Sequence, residues 1–392
     1  MVEPLLAVGV VVAAFVGFNI GGSSTGVSFG PAVGSRVCSK TAAAALMSAF
    51  ALLGGWTVGR NVIETLGGEI VPASSFTLAA SVGVLFFVGL ALLVSNVFGV
   101  PASTSMTAVG AIAGLGAATG TLNADVLLRI VGWWLVAPVL AFWVCAVVGR
   151  YLYPYLDAAF AIDRSAGGVV AVDGGRPRIA ADASPREAVG TAAVVAIACY
   201  MAFSAGASNV ANAVAPLVGN GAVTAGQGVL LAGGAIAVGA FTIARRTLDT
   251  VGNDLTELPL LAALIVEVVS ATLITLLSAI GIPASLAVSA TMSIVGLGWG
   301  RATRTTTLGD AVGGAIAGDR DADERPAVSV NALAGESPAG DDGVPGMGEE
   351  GAELLAEDLF DPGTTGRVVS FWLLTPTLSF ACSYALFALV PV

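Results

Sequence analysis

Polar residues in this chain come in short bursts separated by long apolar runs. Ten such runs stand out, at 4–20, 41–59, 76–97, 104–120, 128–149, 188–204, 222–244, 258–282, 285–299 and 369–390. At 1.5 Å rise per residue, about 20 helical residues cross a hydrocarbon core, so the pattern predicts membrane-spanning α-helices. A lipid-facing barrel strand would alternate apolar with polar positions, and these runs do not. The first run has Glu3 where a signal peptide would have a basic start, and the apolar pattern continues beyond it, so it reads as a retained first helix. The expected fold is an all-α polytopic membrane protein with about ten spanning segments.

The runs are not uniformly apolar. "FNIGGSSTGVSFGPAVGS" (Phe18 to Ser35) places glycines, a proline and several hydroxyls where lipid-compatible side chains are expected. Shifted by 185 residues it falls on "FSAGASNVANAVAPLVGN" (Phe203 to Asn220), pairing Gly21 with Gly206, Ser23 with Ser208, Pro31 with Pro216 and Gly34 with Gly219. The same shift pairs Arg60 with Arg245 and Glu69 with Asp254. Further on, "GVPASTSMTAVGAIAG" matches "GIPASLAVSATMSIVG", and "WWLVAP" matches "FWLLTP". Glycine, proline, arginine and acid matches in one order mark an internal repeat rather than chance similarity among Ala/Val/Leu-rich helices.

Charge divides the chain further. It is 56% hydrophobic and only 11% charged, with mean hydropathy +0.89. Of its net −11, the segment 301–367 carries −9, from fourteen acids against five arginines. That segment is rich in Gly, Pro, Asp and Glu and too poor in apolar residues to build a core, so it is expected to be a disordered acidic loop. Such carboxylate-rich, lysine-poor surface suits a halophile. The predicted organisation is membrane repeat 1 at 1–149, a polar cytoplasmic linker at 150–187, the first part of repeat 2 at 188–300, the acidic cytoplasmic loop at 301–367 and a last helix at 368–392. The cysteines Cys38, Cys145, Cys199 and Cys382 are far apart in sequence and read as small packing residues.

Basic residues near span ends favour the cytoplasmic side. Placing 150–187 and 301–367 inside also places Arg36, Lys40, Arg245 and Arg246 inside, with Arg60 and Arg129 against. The two long loops follow different helices of their repeats, so both are cytoplasmic only if one repeat is inverted. The expectation is therefore an inverted-topology repeat with interrupted, partly re-entrant helices and both termini extracellular. In such transporters the cargo site lies where Gly/Pro-interrupted segments of the two halves meet. Here those pairs are 21–35 with 206–220, and 101–105 with 283–285. Helix N-termini and neutral hydroxyls suit a small oxyanion, which makes Ser23, Ser24, Ser103, Thr104, Ser105, Ser208, Asn209, Asn212 and Ser285 the candidate substrate-binding residues. Of these Ser105, and outside them Thr25 and Ser28, are the weaker candidates, because hydroxyls also serve close helix packing. Glu267, alone in "LLAALIVEVVSATLI", is costly there unless paired or neutral, and is the candidate for cation or proton coupling.

At this point the chain resembles the inorganic phosphate transporter (PiT) family. "GASNVANAVAPLVG" is similar to the second copy of its Gly-Ala-Asn-Asp-x-x-Asn-Ala motif, and "NIGGSSTGVSFGPAVGS" to the first in outline. "VPASTSM" and "IPASLAV" resemble its two Pro-x-Ser-Thr-Thr-His motifs, and "WLLTP" its last helix. The departures bear on chemistry. Ser23-Ser24 and Ser208-Asn209 stand where the family has Asn-Asp, and Val27 stands where Asn212 keeps the later asparagine. Met106 and Val288 replace the histidines, and Leu286-Ala287 replaces the second Thr-Thr. In the family the aspartates are implicated in phosphate and cation binding, so their absence weakens any Na+ or H+ site.

The resemblance implies a secondary transporter and symporter for inorganic phosphate working by alternating access, with Na+ or H+ as the candidate coupling ion and no cofactor or metal. A permease for sulfate or another oxyanion is the alternative, as is a non-transporting paralogue acting as a membrane sensor or scaffold. An enzyme is disfavoured: the chain has no histidine and no nucleophile–base–orienter set. The expected partners are the small oxyanion and the bilayer, with a homodimer as a candidate assembly and no nucleic acid.

Overall fold

The computed structural model describes residues 4–97, 103–160, 170–173, 176–179, 185–243, 259–303 and 362–390. The described residues fold almost wholly into helices. α1 (Pro4–Gly34), α2 (Lys40–Thr57) and α3 (Gly59–Glu64, continued by a π turn, Thr65–Glu69) are followed by α4 (Leu78–Val97), α5 (Thr104–Thr119) and α6 (Ala124–Val147). A π turn (Val148–Leu152) joins α6 to α7 (Tyr153–Phe160). After a small antiparallel hairpin, β1 (Val170–Asp173) with β2 (Arg176–Ile179), come α8 (Pro185–Gly219), α9 (Ala225–Thr242), α10 (Leu260–Ala279), α11 (Leu286–Ala302) and α12 (Pro362–Leu389). Each of the ten apolar runs falls on one of these helices. Among the described residues, seven helices are long and apolar enough to cross a membrane, or eight if the pair bent by 63° between Lys40–Thr57 and Gly59–Glu69 counts as one span. The protein is a multi-pass membrane protein.

The expected interruption of 21–35 and 206–220 is absent. α1 and α8 run unbroken through both segments, with Pro31 and Pro216 inside them. In a site without water a broken helix leaves backbone groups unpaired, at several kcal/mol each. The hydroxyls instead bond back to their own helix: Ser23 to the Asn19 carbonyl at 3.2 Å, Thr25 to Gly21 at 2.7 Å and Ser35 to Pro31 at 2.7 Å. The glycines let neighbouring backbones approach. A side chain on Gly21 would collide with the Ile236 carbonyl, and one on Gly206 with the Ala51 carbonyl. Gly54 meets the Phe203 carbonyl while Gly239 meets that of Phe18. α5 and α12 approach through Gly114 at the Phe380 carbonyl, and α11 and α6 through Gly296 at that of Phe142. These six contacts thus form three reciprocal pairs at repeat-related positions.

The second expected pair of breaks is present in part. α5 and α11 are short helices whose first turns are capped by Ser103 and Ser285, which accept from the Met106 and Val288 amides at 3.3 Å each. Pro101 lies outside the described residues. The boundaries also shift. Helix continues from α6 through α7 to residue 160, the hairpin lies within the expected linker, and α12 begins at Pro362 inside the expected acidic loop. The rest of that loop, 304–361, lies outside the described residues, as do Arg245, Arg246 and Asp254.

α8 is the centre of the fold. From Ser204 to Leu217 every residue is buried, and α1, α2, α10 and the start of α5 pack around it. A helix enclosed on all sides presents small and polar side chains only to other protein.

Candidate functional site

Three elements supply the polar groups: the middle of α8, the first turn of α5, and the strand-like residues before α11. The Ser208 hydroxyl donates to the Ala284 carbonyl at 2.7 Å, and the Ser105 hydroxyl reaches the same oxygen at 3.1 Å. The two hydroxyls lie 3.2 Å apart. The Asn212 amide donates to Ser105 at 3.2 Å and to the Asn209 side-chain oxygen at 3.3 Å. That oxygen also accepts from Thr104 at 2.7 Å, and the Asn209 amide reaches the Ser24 hydroxyl at 3.5 Å. The Asn212 oxygen, on a residue 1% exposed, finds no partner among the described residues. Unpaired buried polar atoms cost about 1–3 kcal/mol and ask for a reason.

The cluster is assembled by sequence-local rules. Asn209 and Asn212 are three positions apart on α8, hence on one face, and Ser208 adds the adjoining edge. Ser103 at the α5 N-cap leaves Thr104 and Ser105 in the first turn, where backbone N–H groups lack intrahelical partners. Ser285 does the same for α11, so two positive helix ends converge on the cluster. None of its side chains is ionisable. The groups present can bind an anion by neutral hydrogen bonds and helix ends, and offer a cation only neutral oxygens.

Six of the candidates, Ser24, Thr104, Ser105, Ser208, Asn209 and Asn212, form one hydrogen-bonded network. Ser103 and Ser285 border it as helix caps. Ser23 stands apart: its hydroxyl bonds to the Asn19 and Ile20 carbonyls at 3.2 Å each, within its own helix. Thr25 is turned back in the same way, and Ser28 is buried with no partner among the described residues. Beside Ser285 and Ala284 lies a cavity of about 10 Å³, lined also by Met106, Val288, Trp133 and Trp134. It holds one water at most, too little for a tetrahedral oxyanion.

Glu267 sits on α10, 4% exposed, with neither carboxylate oxygen hydrogen-bonded among the described residues. One turn on, Ser270 meets Ser293 of α11 at 3.2 Å, and Ser204 of α8 bonds to the Ala271 carbonyl at 3.0 Å. Two groups escaped the sequence reading. Asn19, 3% exposed, accepts from Asn96 of α4 at 3.0 Å. Its signal was an amide one turn before Ser23 in an apolar run. The Ala284 carbonyl, which accepts both hydroxyls, has no signal in residue type at all. Trp134 steadies this loop through its indole, which donates to Pro283 at 2.8 Å.

Comparison with known proteins adds an independent line. Residues 20–318 match the phosphate transporter family. The sulfate permease CysP of Bacillus subtilis is 31% identical over 72% of this chain and 74% of its own length. A protein of Pyrococcus furiosus named as a phosphate permease is 22% identical over 77% of this chain and 89% of its own. A solved structure titled "The sodium-dependent phosphate transporter" superposes with TM-score 0.68 over 99% of both chains at 18% identity, which speaks to the fold alone.

Proposed function

The chain belongs to the phosphate transporter family, and from that premise we propose that it is a secondary permease for a tetrahedral inorganic oxyanion, working by alternating access. The carrying observation is the hydrogen-bonded network of Ser105, Ser208, Asn209 and Asn212 between the N-termini of α5 and α11. An anion entering would replace these internal bonds with its own oxygens.

Two features support alternating access. The reciprocal contacts, Gly21 at Ile236 with Gly206 at Ala51, are those of a two-fold relation between halves. α1 runs parallel to α9, since Gly17 meets Ala232 and Gly22 meets Ile243. α8 joins α9 by a tight turn and runs opposite to it, so α8 opposes its counterpart α1, as in an inverted repeat. The halves also differ locally: Ser208 is bonded across to Ala284, whereas its counterpart Ser23 is bonded within its own helix. Exchange of those two arrangements would open the site to the other side. On this reading both long loops are cytoplasmic and both termini outside.

Phosphate is the cargo that family membership favours. Sulfate is a second reading with its own support. A site without a carboxylate does not select for the O–H that phosphate carries and sulfate lacks, and a relative at 31% identity is a sulfate permease. Glu267 is the proposed coupling group, for Na+ or H+. The test is uptake of labelled phosphate and sulfate into proteoliposomes, each with and without a sodium or proton gradient. Uptake of neither anion would sink the permease reading and leave the sensor alternative.

A further inference from the structure

Far from the Asn209 network, at the end of α6 and α11, two arginines lie with part of their guanidinium groups unused. Arg150, in the π turn after α6, is 8% exposed. Its Nη1 donates to the Thr303 carbonyl at 2.6 Å, which closes the C-terminus of α11. Its Nε and Nη2 find no hydrogen-bond partner among the described residues. Those two N–H groups lie on one edge of the guanidinium and point the same way, the fork that takes two oxygens of a carboxylate or phosphate at once. Arg301, in the last turn of α11, is held with its Cζ 4.3 Å from the Tyr153 ring, and its Nε is likewise unpartnered among the described residues. Capping α11 accounts for one edge of Arg150 and leaves the other without a hydrogen-bond partner among the described residues. A buried cation without an anion is costly, and among the described residues the one ion pair is Arg129 with Glu69, elsewhere.

We infer that Arg150 and Arg301 form a binding site for a phosphate group, and that its occupant is the headgroup of an anionic membrane lipid. The surface beside the fork decides the source. Trp143, Val144, Val147, Tyr151, Leu152 and Tyr155 are all exposed along the same end of α6 and α7. An apolar flank ending in tyrosines is the pattern of a helix passing from acyl chains to headgroups, and basic pockets between helices at that level take lipid phosphates. A free inorganic anion would use the same fork but gain nothing from the flank.

The test uses the full-length protein purified in detergent, titrated with phosphatidylglycerol, phosphatidylcholine or inorganic phosphate. Thermal unfolding and native mass spectrometry are the readouts. Phosphatidylglycerol should raise the melting temperature and remain bound at one molecule per chain, with phosphatidylcholine much weaker. Arg301→Gln should weaken retention roughly tenfold or more, the loss expected for a charged hydrogen bond. Arg150→Lys, which keeps the charge and removes the fork, should weaken it as well, so the outcome does not depend on whether Arg150→Gln folds. Equal retention in the parent and both variants would overturn the site. Stabilisation by inorganic phosphate that displaces the lipid and depends on the arginines would overturn the lipid as occupant.

Discussion

The Asn209 amide reaches the Ser24 hydroxyl at 3.5 Å across 185 positions of sequence. That separation also relates Gly21 to Gly206 and Gly54 to Gly239, whose contacts are reciprocal. Two groups that are counterparts under a two-fold and touch each other must lie at its axis. On the proposed inverted repeat, Asn209 and Ser24 therefore sit at the point both halves share, where a bound ion is equally reachable from either side.

A site made of many neutral donors spreads its affinity. Each hydrogen bond contributes about 0.5–1.5 kcal/mol, so Ser208→Ala should lower uptake roughly tenfold or less. Asn209→Asp should do more, because a carboxylate in a low-dielectric cavity repels the anion. Its remaining uptake should become more sodium-dependent, as Na+ would offset the new charge. Unchanged uptake in both variants would show that the cargo passes elsewhere.

Discrimination between anions should be poor. Sites that hydrogen-bond a substrate hydroxyl reject analogues lacking it by a factor on the order of 10⁴, but in this cluster the free acceptor among the described residues is one amide oxygen, that of Asn212. Unlabelled sulfate should compete with labelled phosphate uptake at concentrations within about tenfold of phosphate itself. A gap of a thousandfold in either direction would mean that a selective acceptor lies outside the cluster.

Much of this was legible in the sequence, for definable reasons. The apolar runs marked the helices because backbone in an apolar run must satisfy its own hydrogen bonds. Run length did not give the span count: α5 and α11 are short, and seven or eight helices among the described residues are long enough to cross. The repeat was visible because glycine and proline positions carry strict backbone demands: Gly21 and Gly206 each face a carbonyl that no side chain could approach. The misreading of 21–35 has the same origin. Glycine and serine loosen a helix in water, yet between helices they permit contact and satisfy carbonyls, as Thr25 does with Gly21. Residue type could not distinguish these uses. Nor could it separate Ser23 from Ser208, which occupy matching positions with different partners.

The hydrogen-bonded network should be a moving interface. Ser105 and Ser208 place their hydroxyls 3.2 Å apart, so cysteines at both positions bring sulfurs near the roughly 2.05 Å of a disulfide. In a background with the native cysteines replaced, oxidation of Ser105→Cys/Ser208→Cys should stop uptake, and reduction should restore it. Full uptake with the cross-link verified by mass would show that this contact never opens.

The glycine contacts should be stability determinants with a matched control. Gly206→Ala and Gly21→Ala each place a methyl against a backbone carbonyl, and overpacking costs about 1–3 kcal/mol. Both should lower the melting temperature by several degrees. Gly132, in α6, has nothing within 4 Å of an added Cβ, so Gly132→Ala should be neutral or slightly stabilising, as expected of alanine in a helix. Equal effects at all three positions would remove close backbone approach as the reason for the glycines.

Glu267 separates binding from energy coupling. Its carboxylate is 4% exposed and unpartnered among the described residues, so carrying charge there requires a companion cation, a proton or Na+. If that cation is the one whose gradient drives transport, its removal should spare the anion site and disconnect it from the gradient. Glu267→Gln keeps the shape and abolishes the exchangeable charge. In proteoliposomes the variant should still exchange internal for external oxyanion at near-parental rates. Accumulation against a gradient should fall about tenfold or more, the loss of a charged interaction. Loss of exchange and accumulation together, with the protein folded, would assign Glu267 to binding. Retention of both would reduce it to a buried structural carboxyl.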